Sequence, residues 1–259
     1  MTYVEDSGAG VPVLAIHGLG GSAEFFSEFT RRVRSEARVL AVDLPGTGRS
    51  RAAGEFSMAS WVRDLGAVVA ERTSEPVVIL GHSLGTIVAL EAWRAWPGRI
   101  RALIFVGGLP QVRPLIRVRL VERLAALEGT PNLHGWGWRV APGVFSKTTM
   151  RARPDVVRAF AERFDRQSVD SYVRCTRILL EADATDIVSS VAVKTVAITG
   201  ADDQYAPPDA VAGFVSRIPG AGCEVIPECG HVPFLEQPDR FCALVSGFLQ
   251  STRARLPPL

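Results

Sequence analysis

One strand-turn-helix signature constrains this chain more than any other feature. Val77–Leu80 is a short run of branched apolar residues that ends at Gly81-His82-Ser83-Leu84-Gly85. The following stretch, to Trp96, carries small and branched side chains at helical spacing and stops before Pro97-Gly98. A serine on so sharp a strand-to-helix turn takes a strained backbone conformation that pushes its hydroxyl outward. Gly81 and Gly85 let helix and strand approach without a Cβ clash, and the free N–H groups of the helix N-terminus point at any charge developing beside the serine. The bland alternative is a tight turn holding an idle Ser83.

The same grammar recurs along the chain. Val11–Ile16, Arg38–Val42 and Ile100–Val106 are further Val/Ile/Leu/Ala runs, each ending close to Gly or Pro. Such continuous runs predict strands buried on both faces, as in a parallel sheet. Between them, Phe25–Val33, Trp61–Ala70 and Leu84–Trp96 place apolar residues at spacings of three and four. Strand and helix in alternation predict an α/β fold with a doubly wound, mostly parallel sheet.

The alternation breaks at Pro110. From there to about Asp186 only helices are predicted, over Leu115–Leu127, Asp155–Phe164 and Val169–Leu180, with an irregular Gly- and aromatic-rich stretch at Leu133–Phe145. Strands resume at Val193–Thr199 and Cys223–Ile226, and a final helix spans Asp239–Leu249. The expected organisation is a core of residues 1–109 and 187–259 with an inserted helical cap, or lid, at 110–186. The insert is not a second independent domain, because the chain enters and leaves it from one sheet. It holds 13 basic and 9 acidic residues, a net excess of four positive charges. That excess is either ordinary helix-surface chemistry or a docking face for an anionic substrate or acidic carrier protein. The tail after Gln250 is expected to fray.

Composition excludes several classes. The chain has 259 residues, 47% of them hydrophobic and 22% charged, so wholesale disorder is excluded and a large core needs no staples. A formal charge of +2 argues against coating nucleic acid. Nearly all the cations are arginine, Lys147 and Lys194 being the exceptions, which reads as genomic composition bias. The N-terminal residues lack the apolar core of a secretory signal. The longest uncharged apolar stretch, near 76–90, is too short and polar to span a membrane. Cys175, Cys223, Cys229 and Cys242 show no paired metal spacing and read as free buried thiols of a cytoplasmic protein.

The remaining chemistry-bearing residues fall at strand ends. His17-Gly18-Leu19-Gly20-Gly21 follows the first strong strand, and its glycine-rich backbone can turn N–H groups toward the crevice beside Ser83. Leu19 N–H and Leu84 N–H form the natural pair of oxyanion donors, with Gly18 beside them as a substrate contact. Val193–Thr199 runs into Gly200-Ala201-Asp202-Asp203, where either aspartate can supply the carboxylate that orients a histidine. His231, in Cys-Gly-His-Val-Pro-Phe, is the base candidate and completes the chain order Ser, Asp, His. A metal reading of Cys223, Cys229 and His231 fails on irregular spacing. The glycines at 18–21 lack the dinucleotide fingerprint, and nothing calls for a cofactor.

These motifs resemble the α/β-hydrolase superfamily, in its compact serine esterase and lactonase branch with a helical cap. The matching pieces are HGLGG at 17–21, DLPGTGRS at 43–50, GHSLG at 81–85, TGADDQYAPP at 199–208 and CGHVPFLEQPDRF at 229–241. They cover nearly the whole chain outside the cap. The resemblance implies a Ser83–His231–Asp203 triad, since the family spacing G-x-x-D-x-x-x-P fits Gly200, Asp203 and Pro207 and leaves Asp202 as a loop residue. The short N-terminus implies that the family's first antiparallel hairpin is reduced. The segment 169–208 is similar to enol-lactonases, and the basic cap to esterases that dock an acidic carrier.

Trp136, Trp138 and Phe145 are candidates for an apolar pocket wall or, equally, for anchors of the cap to the core. Val232 and Phe234, just past His231, are expected to border the site. The expected activity is hydrolysis of a small carboxylic ester or lactone. Two readings keep the same machinery: carbon–carbon bond hydrolysis of a diketone-like substrate, and thioester cleavage. A non-catalytic ligand receptor is the alternative of another class.

Overall fold

The computed structural model describes residues 2–51 and 56–253. Seven strands form one sheet: β1 (Val4–Gly8), β2 (Val11–Ile16), β3 (Ala37–Val42), β4 (Val77–His82), β5 (Ile100–Val106), β6 (Lys194–Gly200) and β7 (Gly222–Ile226), in the order β1-β3-β2-β4-β5-β6-β7. Only β1 runs antiparallel, against β3. The apolar runs become strands because both faces are covered. Val13 and Ala15 of β2 face one core with Val78 and Leu80 of β4, while Leu14, Ile16, Val77 and Ile79 face the other. The first core is closed by α1 (Ser27–Val33) and α11 (Pro238–Arg253), the second by α2 (Met58–Arg72), α3 (Leu84–Ala95) and α9 (Pro208–Val215). After β2 the chain adds β3 on one side and β4 on the other, so the carboxyl ends of parallel β2 and β4 flank a topological switch point, where crevices form in open α/β sheets.

Between β5 and β6 the chain makes five helices: α4 (Pro114–Leu127), α5 (Trp136–Val144), α6 (Lys147–Ala152), α7 (Pro154–Asp165) and α8 (Val169–Glu181). They share the cores of the sheet. Val140, Phe160 and Phe164 join the first cluster, and Ile116, Leu120 and Leu179 join the second.

Two stretches differ from the sequence reading. Val4–Gly8 is a strand although it lacks apolar alternation, because it is an exposed edge whose backbone pairs with β3 and whose Asp6 binds Arg38 at 2.6 and 2.8 Å. Leu133–Phe145 is not irregular: it contains α5, with Pro142 inside it. That helix is capped from a distance, since the Asp165 carboxylate accepts the Gly135 and Gly137 N–H groups at 2.7 Å each. A methyl group on Gly137 would lie 2.4 Å from the Ala161 backbone, so the glycine that weakens the helical pattern is what lets α5 and α7 touch. At the C-terminus the helix continues to Arg253; the rest of the tail expected to fray, 254–259, lies outside the described residues. Cys175, Cys229 and Cys242 are buried free thiols, whereas Cys223, on edge strand β7, is only half-buried.

Candidate active site

Ser83 sits between β4 and α3 with φ 52° and ψ −115°, a backbone region that side chains other than glycine rarely occupy. Its N–H donates to the Val106 carbonyl at 2.9 Å, and its own carbonyl accepts the Thr86 N–H at 2.8 Å, so the strained turn is held from both sides. The flanking glycines are sterically required. A Cβ on Gly81 would lie 2.3 Å from the Gly85 carbonyl oxygen, and one on Gly85 2.4 Å from that of Ile16.

Next to this turn, the loop after β2 is fixed by buried His17. Its Nδ1 donates to the Gly18 carbonyl at 2.7 Å, and its Nε2 accepts the Leu44 N–H at 3.0 Å. Burial holds the ring below the ordinary histidine value, against the Gly18 carbonyl and Asp43. Gly20, at φ +72°, lets the loop pass against Phe164 of α7. Leu84 is the first residue of α3, where backbone N–H groups have no intrahelical acceptor. Gly18, Leu19, Ser83 and Leu84 all line one open cavity, with about 880 Å³ of empty space when the solvent at its mouth is included.

At the far side of the sheet, Asp203 is 3% exposed and faces His231, whereas Asp202 is exposed. Asp203 Oδ2 accepts from His231 Nδ1 at 2.9 Å, and its Oδ1 accepts the Tyr205 and Ala206 N–H groups at 2.8 and 3.0 Å. Burial alone would raise this carboxyl. The His231 ring and the two backbone donors outweigh burial and hold it below the usual carboxylate value. With Nδ1 engaged, Nε2 is the ring atom left for chemistry, and His231 lines the cavity with Ser83.

Two further groups position His231. His82 Nε2 donates to the His231 carbonyl at 3.0 Å, and the two rings lie 4.9 Å apart. Burial first, then His231, push His82 down to about 3, so it remains neutral. Glu236, buried in α10 (Pro233–Glu236), accepts the Gly230 N–H at 2.8 Å on one oxygen and the Ser146 N–H at 2.9 Å on the other. It thereby ties the loop carrying His231 to the start of α6. The visible signal was a carboxylate five residues past His231 at the foot of an apolar turn.

The expected lining residues divide. Gly18 and Val232 line the cavity; Trp136, Trp138 and Phe145 do not. Trp138 is 48% exposed. Trp136 packs against the first core with Arg139 over its ring, and Phe145 stands behind the wall, edge-on to Phe160 at 5.1 Å. Phe234 is likewise a layer behind, edge-on to His82. The walls are instead Phe25, Ile116, Leu120, Val140, Phe160 and Leu179, with Arg123, Tyr172 and Tyr205 among them. His134 is exposed and outside the lining.

The alpha/beta hydrolase family model matches residues 13–244. The chain belongs to the alpha/beta hydrolase family. Within it, the chain is 28% identical to a pimeloyl-[acyl-carrier protein] methyl ester esterase of Pectobacterium atrosepticum, over 96% of this chain and 98% of that protein. It is also 28% identical to a 2-hydroxymuconate semialdehyde hydrolase of Pseudomonas putida, over 98% of this chain and 92% of the relative. Among solved structures, a thermophilic esterase from Thermogutta terrifontis superposes with a TM-score of 0.87 at 25% identity, covering 97% of this chain and 93% of the other. An α/β-hydrolase with this ancestry is a hydrolase. No helix among the described residues is long and apolar enough to cross a membrane.

Proposed function

We propose that this hydrolase cleaves a carboxylic ester or lactone through a Ser83–His231–Asp203 triad and an acyl-enzyme intermediate. The observation that carries the reading is the strained Ser83 facing the same cavity as a His231 whose Nδ1 is held by buried Asp203. His231 Nε2 takes the Ser83 hydroxyl proton as the oxygen attacks the carbonyl. The resulting oxyanion is held by the Leu19 and Leu84 N–H groups. His231 then gives its proton to the leaving alkoxide. Water, deprotonated in turn by His231, attacks the acyl-enzyme and releases the acid and free Ser83. Asp203 remains an anion throughout and stabilises the imidazolium. Gly18 and Val232 border the acyl group.

In this reading, residues 110–186 act as a cap over a core of 1–109 and 187–259. Their excess of basic residues, together with the relative named for a carrier-protein ester, supports docking of an acidic carrier. The equally similar semialdehyde hydrolase supports a second reading, in which the same triad cleaves a carbon–carbon bond.

The test is hydrolysis of p-nitrophenyl esters from acetate to decanoate by the wild type and Ser83→Ala. Turnover that depends on Ser83 and peaks at one acyl length is expected. Absence of ester turnover by folded protein, with cleavage of a vinylogous diketone, would replace the ester reading by the second one.

A further inference from the structure

The cavity beside Ser83 has a charge imbalance that ester hydrolysis alone does not require. Two guanidinium-bearing residues, Arg113 at the N-cap of α4 and Arg123 within it, line it, and no Asp or Glu does. Arg123 is half-buried on the wall and forms no ion pair among the described residues. Its Nη1 instead donates to the Tyr172 hydroxyl at 2.8 Å. Tyr172 is buried, and burial pushes its phenol up against the pull of Arg123, so a neutral hydroxyl sits there at neutral pH and does not cancel the cation. Tyr205 flanks the same guanidinium, and its ring packs against His231 at 4.7 Å between centroids. One tyrosine thus spans from the imidazole of the proposed triad to Arg123.

A partly desolvated cation with only neutral partners is costly unless an anion completes it. Ile116, Leu120, Val140 and Leu179 line the same cavity and present an apolar surface to a hydrocarbon chain. Arg123 also borders a second, shallower depression together with Arg119 and Arg139, so the guanidinium can be approached from solvent.

We infer that Arg123, with Tyr172 and Tyr205 holding it, is the carboxylate anchor of this site, and that the substrate is an ester or lactone carrying a free carboxylate at the end remote from the scissile carbonyl. The fork of a guanidinium matches a carboxylate in two parallel hydrogen bonds. The apolar wall takes the methylenes between the two ends. The inference rests on the ester reading for its substrate, though the anion site is testable without any turnover.

Two measurements decide it. The first uses monomethyl esters of straight-chain diacids, succinate to suberate, against methyl esters of the fatty acids of equal length. The wild type is expected to favour one diacid ester by ten- to a hundredfold in kcat/KM, and Arg123→Gln to bring that ratio close to one. Arg123→Lys should keep part of the preference, and Arg113→Gln most of it. A ratio near one in the wild type, or a ratio surviving in Arg123→Gln and lost in Arg113→Gln, overturns the assignment. The second is binding of free adipate and its homologues, which need no chemistry, by calorimetry with wild-type, Arg123→Gln and Arg123→Lys proteins of matched circular dichroism. Saturable binding lost in Arg123→Gln and partly kept in Arg123→Lys supports the anchor. Equal binding by all three, or none by the wild type, overturns it. Inactivity on every ester combined with Arg123-dependent diacid binding would sink the ester reading and leave the anion site standing.

Discussion

Asp203 Oδ2 and His231 Nδ1 lie 2.9 Å apart, and the other oxygen of the same carboxylate is already held by the Tyr205 and Ala206 N–H groups. The aspartate therefore cannot swing away from the ring without breaking two backbone hydrogen bonds. Asp202, its neighbour, points to solvent. Replacing Asp203 by Asn keeps the shape and puts an N–H₂ or a neutral oxygen against His231, favouring the wrong tautomer. Asp203→Asn should lower kcat on the order of 10⁴-fold, by analogy with other triads. Asp202→Asn should change it by less than about threefold, as expected for an exposed loop position. Steady-state kinetics on one activated ester compares the two; equal losses would remove Asp203 from the proposed triad.

Glu236 spends both carboxylate oxygens on backbone donors from two separate segments, Gly230 and Ser146. Glu236→Gln replaces one acceptor by a donor facing an N–H. One buried N–H then loses its partner, a cost of about 1–3 kcal/mol. Chemical denaturation should report that loss. Because Gly230 precedes His231, kcat should fall as well, whereas KM for a small neutral ester should move little. Loss of stability with kcat unchanged would mean that Glu236 holds the fold and not the histidine.

The pieces of the site that sequence made legible are those fixed by local rules. Ser83, Gly81 and Gly85 belong to one turn whose sterics are written in five consecutive residues, the strand before Asp203 ends in Gly200, and Gly230 directly precedes His231. What was not legible depends on partners far away in the chain. The α5 helix needs Asp165, from α7, to cap it and Ala161 to pack on Gly137, so its own composition reads as a loop. That misreading also made Trp136, Trp138 and Phe145 attractive as wall residues, because an irregular loop can turn any side chain inward. A helix cannot, and α5 turns Val140 and Val144 to the cavity instead. Arg123 was hidden for the opposite reason. In sequence it is one of several arginines on a basic helix, and only the arrangement of Tyr172 and Tyr205 around it sets it apart.

His17 and His82 are buried and neutral in the folded chain, both held below the ordinary histidine value chiefly by burial, His82 down to about 3. Their folded values lie below the unfolded value, so as pH falls the unfolded chain takes up the protons first. Stability is full above the ordinary histidine range and declines as pH drops through it. Each such histidine contributes a slope of about 1.4 kcal/mol per pH unit once the unfolded chain is protonated. Asp203, Asp6, Glu24 and Glu28 are shifted below their ordinary values, so their contribution is lost only at lower pH, beneath the ordinary carboxylate value. Melting temperature should therefore begin to fall below about pH 6.5, the reference histidine value. His82→Gln should flatten that decline. A plateau persisting down to pH 5 in the wild type would refute the histidine assignment.

Ser83 occupies its left-handed conformation, φ 52° and ψ −115°, because Val106 and Thr86 bind its backbone on both sides. Holding a residue with a Cβ there costs of order 1–3 kcal/mol, and glycine escapes most of that cost. Glycine in turn loses about 0.4–1 kcal/mol through the greater freedom of its unfolded chain. The strain is the larger of the two, so Ser83→Gly should be more stable than the wild type by about 1 kcal/mol, a rise of about 2–4 °C in melting temperature for a chain of this size. Ser83→Ala keeps the Cβ and the strain, and should melt close to the wild type. Both variants lose the hydroxyl, so both should lose ester turnover. Calorimetry on the three proteins separates backbone from side chain: if Gly and Ala melt together, the turn carries no strain, and the outward push on the Ser83 hydroxyl must come from packing alone.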